Sequence, residues 1–393
     1  MRRVVYFFKG DEYSRYDVKR DRVEAGWPKK IRDEWEGLFP NGIDAAISGG
    51  GTRIYFFKGE QYSRYDIAED RVQPGWPKKI RDEWNGLFPS KIDAAFDFPK
   101  DKVYFFKGPQ YSRYDMKADT VEPGWPKKIE DEWSGLFPSG IGAAAHFGKD
   151  KVYFFKGKLY SRFDMKANRV EEGWPKRIDE KRKNGTRLWP GLFEHDIDAA
   201  VAIDLPELTD RVPIPDDINE GVSFARQQTM LDIFGVPGKL TVKCSNVTNP
   251  RVLRNRVINV DVGPFRVTGL RPAVEALQRI FERAQERFPE LAETRPRAVL
   301  GTDGMECCRA VGGSKTNFSN HSWGIAIDIK IKGKLDPRGD GKALFGLLML
   351  HRFFNEERFF WGAGFKGKKE DAMHFEASDE LVREWEDQGL LAP

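Results

Sequence analysis

The sequence predicts a multidomain protein in which an all-β region is followed by an α+β region. The chain has 393 residues, which is enough for two or three domains. Its first half repeats with a constant spacing of 49 residues, because the segment YFFKG begins at Tyr6, Tyr55, Tyr104 and Tyr153. Such a repeat is typical of propellers and other arrays of one structural unit. Beyond residue 221 an apolar pattern with a helical period replaces the repeat.

Each repeat has the pattern of a small antiparallel sheet. The YFFKG segment is aromatic and ends in glycine, and the next segment, YSRYD or YSRFD, alternates ring and polar residues. The connection between them is short enough for a hairpin. GWP, GLF and an apolar strand built on IDAA or IGAA complete the unit. One such sheet cannot bury its aromatic residues alone, whereas four sheets around an axis can.

These units resemble hemopexin-type repeats. The resemblance rests on the DAA strand, YFFKG, the Tyr-x-Arg segment and GWP, and it covers residues 2–203. It implies a hemopexin-like four-bladed β-propeller over residues 1–203, with the DAA strands lining the axis. The chain begins at YFFKG, and we expect the extra strand at residues 197–203 to complete the first blade. The longer stretch at 180–187 in the fourth unit is interpreted as a rim loop; a contact to a ligand or to the second domain is the alternative.

The propeller is expected to present a docking surface for a protein or a glycan. Haem needs axial ligands such as His, and the two histidines of this region, His146 and His195, do not recur in the repeat. An additional cation in the axial channel is considered because aspartates begin three inner strands. These residues are Asp44, Asp93 and Asp198, whereas one unit has Gly142 instead. The same aspartates could simply cap the strand ends.

The second half is predicted to be an α+β domain. Residues 204–221 are rich in Pro and acidic residues and are interpreted as a linker, so that the second domain spans 222–393. Residues 270–287 place apolar side chains on one helical face, with Thr268 as the N-cap and Pro272 in the first turn. The expected strands are 298–300, 325–331 and 373–375.

Two histidines of the second half have carboxylates at short spacing. His321 is followed seven residues later by Asp328, and His374 is preceded three residues earlier by Asp371. Catalytic zinc sites use three imidazole or carboxylate ligands and keep a position for water, which two His and one Asp could supply. Ordinary ion pairs are the alternative. Gly324 lies between the first two ligands, and we expect its small size to leave room for the metal.

The pattern S-x-H-x-x-G-x-A-x-D, which begins at Ser319, closely resembles the D-alanyl-D-alanine carboxypeptidase (VanY-type) family of zinc peptidases. The later D-x-x-H at residues 371–374 belongs to the same motif, and the resemblance covers residues 222–378. It implies one zinc ion held by His321, Asp328 and His374. It also implies that Asp371 is the general base toward a zinc-bound water, with the neighbouring Glu370 as an alternative base.

The resemblance implies further roles around the metal. Arg309 would bind a substrate carboxylate, which suits its planar guanidinium. Ser319 would orient substrate or serve a structural turn, and Glu376 would hold His374 in one tautomer. Trp323 and Trp361 could wall the pocket, although burial in the core is the more common fate of such side chains. The remaining candidates, interpreted as structural, are His351 and the loop 336–342.

Composition excludes several classes of function. The net charge of +4, from 65 basic and 61 acidic residues, does not indicate a nucleic-acid partner. No run of about 18 apolar residues exists, so no membrane span is expected. The three cysteines are interpreted as thiols, and Cys307 and Cys308 as buried ones. No signal peptide is recognised at the N-terminus.

These observations predict a zinc-dependent peptidase that hydrolyses peptidoglycan stem peptides and is targeted by the propeller. It would be a D,D-carboxypeptidase or an L-alanyl-D-glutamate endopeptidase, and the sequence leaves that choice open. The alternatives are a non-catalytic binding or structural protein and a peptidase whose protein substrate the propeller selects. The substrate implies action outside the cytoplasm after non-classical export or injection, so the location stays open.

Overall fold

The computed structural model describes residues 2–249, 257–294, 298–312 and 314–391. The chain divides into two compact units, Met1–Pro206 and Glu207–Pro393. Among the described residues, no helix is both long and apolar enough to cross a membrane.

The N-terminal unit contains four five-stranded antiparallel sheets. Each sheet has one inner strand, two longer strands that form a hairpin, and two short outer strands. The first consists of Ala199–Leu205, Arg2–Lys9, Glu12–Asp17, Arg22–Val23 and Lys29–Lys30, and the second of Ala45–Ser48, Arg53–Lys58, Gln61–Asp66, Arg71–Val72 and Lys78–Lys79. The third consists of Ala94–Phe98, Lys102–Lys107, Gln110–Asp115, Thr120–Val121 and Lys127–Lys128, and the fourth of Ala143–His146, Lys151–Lys156, Leu159–Asp164, Arg169–Val170 and Lys176–Arg177. One-turn helices follow the first three sheets at Ile31–Glu34, Ile80–Glu83 and Ile129–Glu132.

The last strand of this unit completes the first sheet, as the sequence predicted. Ala199–Leu205 pairs antiparallel with Arg2–Lys9, from Arg2 opposite Leu205 to Phe8 opposite Ala199. The inner strands of successive sheets contact one another, and the inner strand of the fourth sheet contacts that of the first. The four sheets therefore form a closed ring. The stretch 180–187 is a loop whose Arg182 forms an ion pair with Asp21.

Aromatic rings fill the junctions between neighbouring sheets. At each of the four junctions a pair of Phe rings meets edge to face, with ring centroids 5.4 to 5.5 Å apart. The pairs are Phe8–Phe56, Phe57–Phe105, Phe106–Phe154 and Phe155–Phe7. Edge-to-face pairs are favourable beyond the apolar area they bury, so the aromatic load of the repeat holds the ring together.

The aspartates that begin the inner strands cap hairpin turns. Asp44 Oδ2 accepts a hydrogen bond from the Gly59 amide at 2.7 Å. Asp93 and Asp198 make the same contact to the corresponding glycine amides at 2.6 Å. In the remaining sheet a Cβ at Gly142 would lie 2.7 Å from a backbone oxygen, which excludes a side chain there. These contacts support the capping interpretation of the three aspartates, and an additional cation in the axial channel stays a prediction.

The segment predicted as a linker, residues 204–221, carries secondary structure. Its first residues end the strand that pairs with the N-terminus, and the unit boundary follows Pro206. Arg211–Pro213 then pairs with Lys342–Leu344. Proline is tolerated in such a short edge strand, so its presence did not exclude pairing. The interpretation as a linker is wrong for these stretches.

The C-terminal unit is α+β. Its main sheet is antiparallel with the strand order Leu300–Gly304, Ala326–Ile331, His374–Ala377 and Phe359–Trp361. A second pair of strands is Val257–Asp261 and Arg266–Leu270. Within the described residues of this unit, the α-helices are Gln227–Phe234, Arg271–Arg287, Phe345–Glu356 and Asp379–Asp387, and the 3-10 helices are Pro289–Ala292, Asn320–Trp323, Gly362–Gly364 and Gly367–Lys369.

The predicted helix at 270–287 is present, but its start differs from the prediction. The helix is Arg271–Arg287 with Pro272 in its first turn, and its apolar face is buried. Thr268 is not the N-cap, because it lies in the preceding strand and Leu270 occupies the cap position without a side-chain hydrogen bond. The strand pairing of Thr268 could not be recognised from the local pattern.

Candidate functional site

The three predicted metal ligands meet at one buried point. His321 lies in the 3-10 helix Asn320–Trp323, whereas Asp328 and His374 are directly opposite each other on paired strands. Asp328 Oδ1 is 3.3 Å from His321 Nε2 and 3.1 Å from His374 Nδ1. One potential ligand atom of each residue lies within 4.8 Å of the others. Among the described residues this is the one group of three or more His, Cys, Asp or Glu side chains that could hold a metal ion.

The backbone explains this convergence. Opposite residues of an antiparallel pair project to the same face of a sheet, which brings Asp328 and His374 together. Gly324 ends the 3-10 helix at a φ of +67°, and a Cβ there would lie 2.9 Å from the Leu270 amide nitrogen. Gly324 is therefore required by the turn that delivers His321. The expectation that its small size leaves room for a metal stays a prediction.

Each imidazole is held by a second hydrogen-bond partner. His321 Nδ1 is 3.0 Å from the Met305 carbonyl oxygen, so it donates there and Nε2 faces Asp328. His374 Nε2 is 2.7 Å from Glu376 Oε2, so Nδ1 faces Asp328. Such partners select the tautomer and orient the ring of a metal-binding histidine. The contact expected for Glu376 is present.

The donor set fits a divalent cation. His321 Nε2 is buried and has no hydrogen-bond partner, although buried polar atoms are nearly always satisfied. Burial opposes ionisation of Asp328, but its contacts with both imidazoles hold the pKa of this carboxyl well below its usual range. Glu376 adds a second carboxylate next to His374. Two imidazole nitrogens and a carboxylate oxygen are the ligand types that zinc prefers.

Asp371 lies next to this group at the turn that precedes His374. Its amide donates to the Gly362 carbonyl at 3.0 Å, and its carbonyl accepts from the His374 amide at 3.1 Å. Asp371 Oδ1 is buried without a hydrogen-bond partner. Burial raises the pKa of Asp371, and the nearby positive charge of Arg338 only partly offsets this. A buried carboxyl with a raised pKa is a candidate for proton transfer.

Glu370, the alternative base, is bound elsewhere. Its Oε2 accepts hydrogen bonds from the Asp340 amide at 2.9 Å and the Gly341 amide at 3.2 Å. The carboxylate therefore supports the loop 336–342. Like Asp371 Oδ1, Glu370 Oε1 is buried without a hydrogen-bond partner, so the two carboxyls differ in what their other oxygen contacts: loop amides for Glu370 and Arg338 for Asp371.

The two predicted substrate-binding residues lie near the site in different ways. The Arg309 Nη2 atom is 3.7 Å from Asp328 Oδ2, and the side chain is about a third exposed, at 34%. Ser319 is buried, and its amide donates to the Arg309 carbonyl at 2.9 Å while its carbonyl accepts from the Ser322 amide. The Ser319 backbone thus shapes the turn, as the structural alternative predicted. Of these two residues, Arg309 is the one whose side chain is charged and partly exposed.

The other aromatic and histidine candidates belong to the core. Trp323 Nε1 donates to the Gly235 carbonyl and Trp361 Nε1 to the Ala372 carbonyl, and both rings are fully buried. His351 stacks on Trp361 with ring centroids 5.1 Å apart. These side chains pack the fold, and Trp323 and Trp361 do not line an open pocket.

A disulfide lies close to the site, contrary to the prediction of three thiols. Cys244 and Cys307 are bonded to each other, and Cys308 is a buried free thiol. The Cys307 amide donates to the His321 carbonyl at 3.0 Å. The bonded residues are 63 positions apart in the chain, so the pairing could not be deduced from local spacing. The interpretation of Cys307 as a thiol is wrong.

Arg338 is the residue at the site that the sequence did not reveal. Its Nη2 atom lies 2.5 Å from Asp371 Oδ2. It belongs to the loop 336–342, which was interpreted as a simple turn. Its only local signal was an arginine in a loop rich in Gly and Asp.

Two family models match the chain. The model described as D-alanyl-D-alanine carboxypeptidase matches residues 312–377, which include all three candidate ligands and Asp371. The model described as hemopexin matches residues 2–39, 43–88 and 92–137. The first match supports a peptidase of the zinc D-alanyl-D-alanine carboxypeptidase type, and the second supports a hemopexin-type binding module.

Several solved structures are similar to part of the chain. A seed albumin from Lathyrus sativus has 32% identity and a TM-score of 0.37, covering 40% of this chain and 79% of that chain. A plant albumin from Cicer arietinum, described as showing hemagglutination, has 27% identity and a TM-score of 0.40. The match covers 44% of this chain and 88% of that chain. A hemopexin fold protein from cow pea has 27% identity and a TM-score of 0.39. The match covers 44% of this chain and 88% of that chain. No match was found among curated proteins.

Proposed function

We propose that the C-terminal unit is a zinc-dependent peptidase that hydrolyses peptidoglycan stem peptides. It would act as a D,D-carboxypeptidase or as an L-alanyl-D-glutamate endopeptidase. The observation that carries the proposal is the buried group of His321, Asp328 and His374, with the unpartnered carboxylate oxygen of Asp371 beside it. Buried ionisable groups of this kind are costly for stability and are concentrated at functional sites.

Different residues of the chain would bind the metal and transfer the proton during peptide hydrolysis. His321, Asp328 and His374 would hold zinc, which supplies a Lewis acid for the scissile carbonyl and makes a coordinated water more acidic. Asp371 Oδ1 has no other partner, so it is free to accept a proton from the attacking water. The same carboxyl would return the proton to the leaving amine.

Arg309 is the proposed receptor for the substrate carboxylate. Its guanidinium reaches the edge of the metal group at Asp328 and remains partly exposed. A planar guanidinium can bind a carboxylate through two parallel hydrogen bonds, which orients the peptide as well as attracting it. Ser319 supports this arrangement because its amide binds the Arg309 carbonyl.

The N-terminal unit is proposed to be a four-bladed hemopexin-like propeller that binds a glycan or protein and so directs the peptidase. The cyclic contact of four five-stranded sheets supports the blade count. Its ring is held by buried aromatic side chains, which leaves the polar outer surface for recognition. The targeting role rests on the expectation that such a module serves binding.

A digest of purified peptidoglycan tests the proposal. Zinc-loaded protein is compared with metal-free protein and with the Asp328→Ala variant, and the products are identified by mass spectrometry. We expect loss of D-alanine or a new cut between L-alanine and D-glutamate, seen with the zinc-loaded intact protein alone. Arg266→Ala is the control, because Arg266 is an exposed residue of the C-terminal unit that contacts Asn259. Absence of any cleavage by folded, zinc-loaded protein would contradict the proposal.

A further inference from the structure

The loop 336–342 brings a cation directly against the proposed base. Arg338 Nη2 lies 2.5 Å from Asp371 Oδ2, which is within ion-pair distance. The Asp371 side chain is 9% exposed and that of Arg338 is 48% exposed. A guanidinium that covers one face of a buried carboxylate restricts the orientation of that carboxylate.

Buried carboxylates hold this loop in place. Asp336 Oδ1 accepts the Leu344 amide at 2.8 Å, and the Asp336 side chain is fully buried. Glu370 Oε2 accepts the Asp340 and Gly341 amides from the other side. These hydrogen bonds anchor the loop from two sides.

Two further contacts fix the loop from outside. Arg211 Nη2 binds Asp340 Oδ1 at 2.6 Å and the Lys342 carbonyl oxygen at 2.7 Å. Gly339 has a φ of +74°, and a Cβ there would lie 3.0 Å from the Lys368 Cα, so the backbones of the two segments approach closely. Arg338 is therefore presented by a supported segment.

The two oxygens of Asp371 are consequently not equivalent. Oδ2 faces the Arg338 guanidinium, whereas Oδ1 is buried and has no hydrogen-bond partner. A general base needs one oxygen free in a defined direction toward the proton it accepts. We propose that Arg338 is a positioning residue: it occupies Oδ2 and thereby directs Oδ1 toward the attacking water. This inference rests on the proposed function, because it assumes that Asp371 is the base.

Kinetics separate positioning from substrate binding. Arg338→Ala should lower kcat about 10- to 100-fold, as expected when a partner of a reacting group is removed. KM should stay within about threefold, because binding before the chemical step is unchanged. Arg338→Lys should retain more activity than Arg338→Ala, and added guanidinium ion should partly rescue the alanine variant. A raised KM with unchanged kcat would overturn the proposal and assign Arg338 to substrate recognition.

The matched control is Arg266→Ala. Arg266 is exposed on another strand and binds Asn259, so its loss removes one surface arginine without touching Asp371. Its kinetics should equal those of the unaltered protein. Loss of activity in this variant equal to that in Arg338→Ala would show that the effect is not specific to the Asp371 contact, and would refute the proposal.

A spectroscopic cycle tests the same inference without relying on activity. The visible spectrum of the cobalt(II)-substituted protein is recorded for the unaltered protein, Arg338→Ala, Asp371→Asn and the double variant. If Arg338 acts through Asp371, both single variants shift the bands in the same direction and the double variant adds nothing further. Additive shifts, or no shift in either single variant, would overturn the proposal. Failure of the intact protein to cleave peptidoglycan would refute the substrate instead and leave this cycle interpretable.

Discussion

The two units of this chain bury different kinds of side chain, and the difference separates stability from chemistry. At the junctions of the N-terminal unit the same aromatic pairs recur, such as Phe8 with Phe56 and Phe57 with Phe105. The C-terminal unit instead buries His321, Asp328 and His374 together, and among the described residues no other group of three or more His, Cys, Asp or Glu side chains could hold a metal ion. Burying apolar rings is favourable by itself, whereas burying charges costs free energy unless they are paired or bind a cation. Repeated aromatic pairs therefore mark the scaffold, and a cluster of buried ionisable residues marks the candidate site.

Removing the base is the sharpest way to test this division. Asp371→Asn should lower kcat by about 10²- to 10⁴-fold, the usual contribution of a general base. The zinc content of the protein should not change, because Asp371 is not one of the three ligands. The measurement is the rate of stem-peptide hydrolysis together with metal analysis.

Glu370→Gln is the matched control for that experiment. Glu370 is the adjacent carboxylate, but it binds the amides of the loop 336–342. It should cost less activity than Asp371→Asn. Equal losses in the two variants would mean that the base has been assigned to the wrong residue.

A second test changes the N-terminal unit instead of the site, by removing one buried aromatic ring. Trp35 is buried and packs against Tyr6, Phe56 and Tyr65, with ring centroids 4.6 to 5.2 Å apart. Trp35→Ala should destabilise the N-terminal unit by about 3–5 kcal/mol, the usual cost of a large cavity. Calorimetry of the unfolding transitions measures this effect.

The half-buried Trp27 provides the comparison for that variant. Trp27→Ala should cost clearly less, because less of its ring is removed from water. Hydrolysis of a short soluble stem peptide should be unaffected by either change. If Trp35→Ala caused a large loss of peptidase activity while both units were folded, the N-terminal unit would contribute to the chemical site, which contradicts the account.

A smaller effect is expected one step away from the metal group. Glu376 Oε2 holds His374 Nε2 at 2.7 Å, and Oε1 accepts the Ala225 amide at 2.9 Å. Glu376→Gln should lower zinc affinity or activity by about 10- to 100-fold, as is usual for such partners. Competition with a chelator measures the affinity. Affinity and activity that both match the unaltered protein would show that the tautomer of His374 does not depend on this contact.

The sequence predicted the features that repeat or that follow a fixed spacing. The four sheets follow from the recurring YFFKG segment, and the meeting of His321, Asp328 and His374 was expected from motif spacing. Features that depend on distant pairing were missed. The bond between Cys244 and Cys307 joins segments brought together only by the fold.

Short strands and loops were missed for the same physical reason. The pairing of Arg211–Pro213 with Lys342–Leu344 joins residues more than a hundred positions apart, and no local pattern encodes it. Arg338, which contacts Asp371, lies in the loop 336–342 that leads into the paired strand Lys342–Leu344. Likewise, Thr268 resembled a helix cap until its strand partner was known.

The central claim is that the buried group of the C-terminal unit is a zinc site. The most direct test is to measure zinc in purified protein after dialysis, beside Asp328→Ala and the surface control His195→Ala. The account predicts one zinc ion per chain in the unaltered protein and in His195→Ala, and loss of that ion in Asp328→Ala. Absence of bound zinc in the folded unaltered protein, or equal zinc affinity in Asp328→Ala, would contradict it.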